Sequence, residues 1–265
     1  MKRSMYRAWS DDAEAAKAFF RAYGEVEQNP KIVAALNQAG VTRISLFESG
    51  GHWLLYMEKE AGVPAEFGEQ AGKIAQTESD RPKKLSDCEP LLANIQPRHG
   101  DIQASFFEFL FPGLESVLAL WPGEPERRIF VPMSDIFHYR RDTDPGFGRR
   151  TLKTESCGRL ARLRSEKVSS YVFYHYQYQE EKPGDGDKYG IIALHEQWLF
   201  FYAERPATIE AAPYEGSLNT RRTPNDWGAV MRTHFIPWTD ASGDEEIWLN
   251  LNRVLEFRAA EEERE

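Results

Sequence analysis

Cysteine is scarce in this chain of 265 residues: Cys88 and Cys157 are the only two. Two thiols so far apart supply neither a disulfide scaffold nor a thiolate metal site, and a reducing cytoplasm is the compartment that such usage suggests. No run of eighteen apolar residues occurs, so no helical membrane span is expected. The stretch from Met1 to Asp12 starts basic but lacks an apolar segment, so no secretory signal is read there. Positive charge is the minority sign. With 33 Lys and Arg against 42 Asp and Glu, the net charge is −9, a poor match to a phosphate backbone, and nucleic acid is not an expected partner. Metal-ligand spacing is also missing: His52, His99, His138, His195 and His234 are scattered, with no two at i,i+4 on a helix. Pro183-Gly-Asp-Gly-Asp187 lacks the full ligand set of a calcium loop and reads as a turn. Ser156, Cys157 and Gly158 form no nucleophile elbow. Neither a metal nor a cofactor is expected.

What the chain has is apolar and aromatic content, 41% and 13%, enough to fill two modest cores. It also has an internal echo. ISLFESGGHWLLYMEKE after Arg43 and YGIIALHEQWLFFYAERP after Lys188 share one order: apolar run, polar break, Trp, apolar run, charge. Aligning Trp53 with Trp198 gives an offset of 145 residues (198 − 53), which is domain-sized and not a solenoid period. Residues 2–9 read as a strand. Ser10 is the expected N-cap of a helix carrying Ala15, Phe19, Ala22 and Tyr23. Residues 30–40 form a helix opened by Pro and closed by Gly. Residues 43–58 form a hairpin, 61–103 a loop with short helices, and 104–121 a helix broken at Pro112-Gly113. Residues 128–139 read as a single closing strand. The order β-α-β-β-α-β is that of a ferredoxin-like unit. Residues 140–156 are polar and basic, with Gly and Pro, and read as a linker.

A second pass gives strand 158–166, a helix slot 167–181, hairpin 188–205, loop 206–225, helix 226–235 and closing strand 246–257. The tail 259–265 reads as a fraying helix end or a solvated extension. The division is therefore 1–140, linker 141–156, and 157–265. The fold class is α+β: two ferredoxin-like units whose open sheet faces cover each other as an intrachain sandwich or barrel. The segment from Ser169 to Glu181 is locally ambiguous. Its aromatics and partial alternation favour strand; its place in the repeat favours helix, which is the reading adopted. On a helix Tyr171 and His175 share a face.

These features resemble the L-rhamnose mutarotases, small proteins of the dimeric α+β barrel type. Their helix carries Tyr and His four apart, and here Tyr171 and His175 match. The strand Lys188-YGIIAL-Leu194, then Trp198-LFFY-Tyr202, Asp226-Trp227 and Arg253-VLEF-Phe257 follow in the family's order. The resemblance implies a sugar pocket in which His175 carries the proton, Tyr171 and Tyr189 bind or orient the sugar, and Trp227 stacks on it. The first half is similar to the family over Pro30–Phe47 and Met133–Tyr139 but lacks the catalytic pattern. Tyr23 stands near the His position, and Arg43 or Ile44 at the strand Tyr position. The chain is about twice the family's length, so the family's homodimer contact is expected to be internal, giving a monomer or a dimer through another surface.

Mutarotation opens and recloses a cyclic hemiacetal. It needs one proton delivered to the ring oxygen and one removed from the anomeric hydroxyl, which a His among Tyr hydroxyls can manage. Aromatic rings suit the C–H face of a sugar. The plainer alternative for His175 is an aromatic core with a satisfied imidazole. At the level of function the alternatives are a non-catalytic sugar-binding or regulatory protein and, least supported, a small oxygenase or haem-handling protein.

Overall fold

Both hairpins form where apolar runs flank a short polar break. The computed structural model describes residues 1–23, 30–62, 102–122, 128–150 and 153–259. Most of the loop read at 61–103 and most of the tail lie outside the described residues. The strands are β1 (Lys2–Trp9), β2 (Val41–Ser49), β3 (His52–Lys59), β4 (Val131–Pro132), β5 (Ser134–His138), β6 (Glu155–Arg162), β7 (Ile191–His195), β8 (Trp198–Arg205), β9 (Leu249–Asn250) and β10 (Asn252–Arg258). The helices are α1 (Ala13–Ala22), α2 (Pro30–Gln38), α3 (Ile102–Leu110), α4 (Val168–Glu181) and α5 (Trp227–Arg232). Asp12, not Ser10, caps α1, accepting from the Ala15 N–H; the Ser10 hydroxyl instead donates to the Asp12 and Val117 carbonyls. No helix among the described residues is long and apolar enough to cross a membrane.

The protein is α+β, with two antiparallel five-stranded sheets ordered β10-β2-β3-β1-β4 and β5-β7-β8-β6-β9. Helices cover the outer face of each. Phe20, Leu36, Phe107 and Phe111 pack with Trp53 on the first sheet; Tyr171, Met231 and Phe235 pack with Leu199 on the second. The inner faces meet in a third cluster, where Met5, Phe47, Leu54 and Tyr56 oppose Leu160, Ile191, Phe200 and Tyr202. Residues 54–57 of β3 are buried on both faces, as a continuous apolar run in a covered sheet must be.

Two features depart from the sequence reading. Hairpin ends fix the internal alignment: Ser49 pairs His52, and His195 pairs Trp198, an offset of 146 (198 − 52). Trp53 and Trp198 are therefore not equivalent, and because strand side chains alternate, a one-residue slip moves them to opposite faces. Trp53 packs under the helices of the first sheet, while Trp198 packs toward the seam between sheets. The equivalent pairs are Tyr56 with Tyr202, stacked at 3.5 Å and 4°, and Glu58 with Glu204.

The second departure is at the closing strands. Each was expected as one strand in its own sheet, and each is split. β4 pairs β1, but after Met133 the chain crosses over and β5 pairs β7. Likewise β9 pairs β6, and after Leu251 β10 pairs β2. Each sheet thus draws strands from both sides of residues 141–156. The segment read as a linker packs into the structure: Phe147 and Thr154 are buried, and Arg150 enters the seam.

Arg150 links the two halves. It donates to Glu58 through Nη2 at 2.7 Å and Nη1 at 3.1 Å, and to Glu204 through Nη2 at 2.6 Å and Nε at 3.1 Å. Arg43 adds a bond to Glu204 at 2.5 Å, and Thr154 donates to the same carboxylate. The Tyr56 hydroxyl donates to Glu58 at 2.6 Å and that of Tyr202 to Glu204 at 3.2 Å. Both carboxylates are fully buried. Burial alone raises the Glu204 pKa, but Arg150 and Arg43 reverse this and hold it below the usual range.

At Gly158 on β6 an added Cβ would lie 3.0 Å from Phe47 of the other sheet and 3.0 Å from Phe200 of its own. Gly158→Val should therefore overpack the seam and cost about 1–3 kcal/mol, read as a lower urea midpoint with an unchanged m-value.

Candidate active site

Helix α4 forms despite its aromatic content because it has one face to bury. Tyr171 and His175 point inward, while Phe173 and Tyr176 stand exposed. Between α4, α5 and the outer face of the second sheet lies a cavity of about 550 Å³, well within the range of small-molecule sites. Helix α5 is short and fixed by Asp226, whose carboxylate accepts from the Ala229 N–H at 2.9 Å. This turns Trp227 and Met231 toward the cavity. Phe137 and Tyr139 come from β5 and the residue after it, Arg159 from β6, Ile192 from β7 and Phe201 from β8. Two lining residues therefore come from the exchanged strand and the residue that follows it.

His175 is buried, with its Nδ1 3.0 Å from the Tyr171 carbonyl oxygen. A carbonyl only accepts, so Nδ1 carries the hydrogen and donates it. That leaves the Nε2 lone pair without a partner among the described residues. The Tyr171 ring lies 4.0 Å from the imidazole, with Phe137 at 5.2 Å and Trp227 at 5.0 Å. Burial lowers the His175 pKa to about 4, so the imidazole is neutral near pH 7. Burial likewise raises the Tyr171 phenol well above its ordinary value, keeping its proton in place. Tyr178 donates to Asp185 at 2.8 Å, and Arg232 is paired with Glu246.

Because the folded His175 pKa lies below the unfolded value near 6.5, the unfolded chain takes up the proton first. The stability this group contributes is complete above about pH 6.5 and declines as pH falls toward about 4. His52, also lowered to about 4 by burial and then by Arg7 and Arg162, acts in the same direction. Urea midpoints should fall between pH 7 and 4.5, and His175→Gln should flatten that slope; an unaltered slope would show that His175 is not the desolvated group.

Of the four residues singled out from sequence, His175, Tyr171 and Trp227 line this cavity and Tyr189 does not. Tyr189 is buried elsewhere, donating to the Arg149 carbonyl at 3.0 Å with its ring 4.2 Å from the Arg150 guanidinium. Tyr189 lies in the turn before β7, closed by the Gly190 N–H on the Asp187 carbonyl at 2.8 Å, which sets its ring beside Phe147 and Arg150 and away from the helices. Arg43, on an inner position of the first sheet, serves the Glu204 cluster. Sequence reasoning missed Arg159, Phe137, Tyr139, Phe201 and Trp248. One signal was present: Arg159 is a charge on the same strand face as Ala161 and Leu163, which are buried under the helices.

No protein-family model matches the chain, and no curated protein does. Among solved structures it is similar to one described as "Crystal structure study of anthrone oxidase-like protein", at 11% identity over 98% of this chain and 94% of that one, with a TM-score of 0.39. A likeness at that level carries no argument about fold or function.

Proposed function

We propose that the cavity is the active site of an acid–base enzyme that interconverts the anomers of a pyranose, with L-rhamnose or a related deoxy sugar as the first substrate to test. The observation that carries this reading is His175: neutral, its tautomer fixed by the Tyr171 carbonyl, and its Nε2 unpartnered in an aromatic-walled cavity. In the reaction Nε2 takes the proton from the anomeric O1–H as the C1–O5 bond breaks. It then returns that proton to O5, giving the open aldehyde and a C5 hydroxyl. Rotation about C1–C2 and the same transfers in reverse close the ring on the other face. O1 and O5 share one carbon, so one imidazole can serve both. Tyr171, whose phenol keeps its proton, acts as a hydrogen-bond donor to the sugar, and Trp227 offers a face for its C–H groups.

The same reading takes the chain as a tandem of ferredoxin-like units in a cytoplasmic setting. It is supported by the equivalent strand orders 2-3-1-4 and 7-8-6-9. The internal pairing then stands in for a homodimer. The test is saturation-transfer NMR on L-rhamnose at anomeric equilibrium. Transfer between the α and β signals that scales with protein concentration is the expected result. Line broadening without transfer would indicate a sugar-binding protein, and neither effect would sink the assignment.

A further inference from the structure

The wall of the cavity contains two cations and no carboxylate. Arg232 is compensated, since it pairs with Glu246. Arg159 is not: it sits half-buried on β6, between Phe201 on β8 and Asn250 on β9. It has no hydrogen-bond or ion-pair partner among the described residues. A guanidinium in a partly dry, aromatic-walled space is costly unless something answers its charge.

The other half of the molecule shows that the fold does not require a cation here. Tyr6 pairs Leu55 as Arg159 pairs Phe201, so Tyr6 occupies the equivalent place. Tyr6 is buried under helix α3, edge-on to Phe107 at 5.1 Å. Where the first sheet fills this space with rings, the second leaves a cavity and places a charge in it.

We propose that Arg159 is the anion-binding residue of this site, and that the natural ligand is a ring compound bearing one acidic group. The planar fork of Arg holds a carboxylate through two parallel hydrogen bonds, and the aromatic walls hold the ring while its reacting edge meets His175. The inference rests on the reading of this cavity as the active site and refines its substrate class. Two sources share the required chemistry, a sugar acid of the uronate type and an aromatic carboxylate.

Isothermal titration with two matched pairs separates them: D-glucuronate against D-glucose, and 2-naphthoate against 2-naphthamide. Wild type should bind the acid of one pair at least about ten-fold more tightly than its neutral mate, a gap of about 1.4 kcal/mol. Arg159→Gln should shrink that ratio to below about two-fold, and Arg159→Lys, which keeps the charge but not the fork, should retain part of it. Arg159→Leu serves as the second neutral variant should the Gln variant fold poorly. Discrimination within the sugar pair supports both the anion site and the pyranose assignment. Discrimination within the aromatic pair alone supports the anion site and overturns the pyranose assignment. Equal binding within both pairs, or a preference that survives Arg159→Gln, overturns the inference even if wild type exchanges the anomers of L-rhamnose.

Discussion

Arg150→Met should lower the stability of the protein by roughly 3–5 kcal/mol, the range for breaking a buried ion pair by removing one partner. The expectation follows from what the change leaves behind. Glu58 and Glu204 are fully buried, and Arg150 bonds to both. Without it, Glu58 keeps the Tyr56 hydroxyl as its one side-chain hydrogen bond among the described residues, with the Arg43 charge acting on it at longer range, and Glu204 keeps Arg43, Thr154 and Tyr202. Lysine is a poor substitute because a single ammonium cannot fork between two carboxylates. The pH dependence should change with the substitution. In the wild type the lowered Glu204 pKa contributes stability that is present above the unfolded carboxylate value and lost as pH falls through the folded one. In the variant an uncompensated buried carboxylate is relieved by protonation, so its deficit should narrow in acid. Adding Glu58→Gln to Arg150→Met should recover part of the loss. Chemical denaturation of the three proteins at pH 7 and 5 decides the matter: a single-variant loss under about 1 kcal/mol would mean that the carboxylates are solvated.

The second large effect is on activity. His175→Gln should reduce anomer exchange by at least about a hundred-fold, the lower end of what a positioned acid–base group contributes, while circular dichroism remains unchanged. Glutamine can still hydrogen-bond but cannot accept and return a proton. Tyr171→Phe should weaken binding more than turnover, because that phenol is assigned a donor's role and not a proton transfer. In the wild type kcat/KM should hold level through neutral pH and fall on the acid side around pH 4, where Nε2 is protonated in the free enzyme. Full exchange by His175→Gln would remove this residue from the mechanism, and an acid limb near 6.5 would mean that the imidazole is solvated.

Much of this site was legible because it depends on helical spacing. Tyr171 and His175 meet at i,i+4, and residues 168–181 are helix, as adopted, and not the strand that propensity favours. The hairpins and the break at Pro112-Gly113 were legible for the same reason: local chemistry dictates them. What escaped depends on alternation and on distant pairing. The two Trp residues lie 145 positions apart but the two hairpin ends 146, and one residue is enough to exchange the faces of a strand. Tyr189 is misplaced for a related reason: it belongs to the turn before β7 and not to the strand, and its ring packs on Phe147 and Arg150, both distant in sequence. The crossings at Met133 and Leu251 have no local signature, as both flanking pieces read as strand and only the partner differs. Nothing in the basic segment 140–156 singles out Arg150, because its two carboxylates lie 92 and 54 residues away.

The exchange of closing strands also sets the order in which the chain can be completed during synthesis. Phe257 pairs with Ile44, 213 positions earlier (257 − 44). Until residues 252–258 have left the ribosome, β2 has a partner on one side only, and its other edge is a row of unsatisfied amides and carbonyls open to any passing strand. The nascent first half must therefore wait, incompletely paired, through the synthesis of nearly the whole second half. At common elongation rates of about 5–20 residues per second this lasts on the order of tens of seconds. During that interval the protein is most exposed to strand capture by a neighbouring copy and has most to gain from a chaperone.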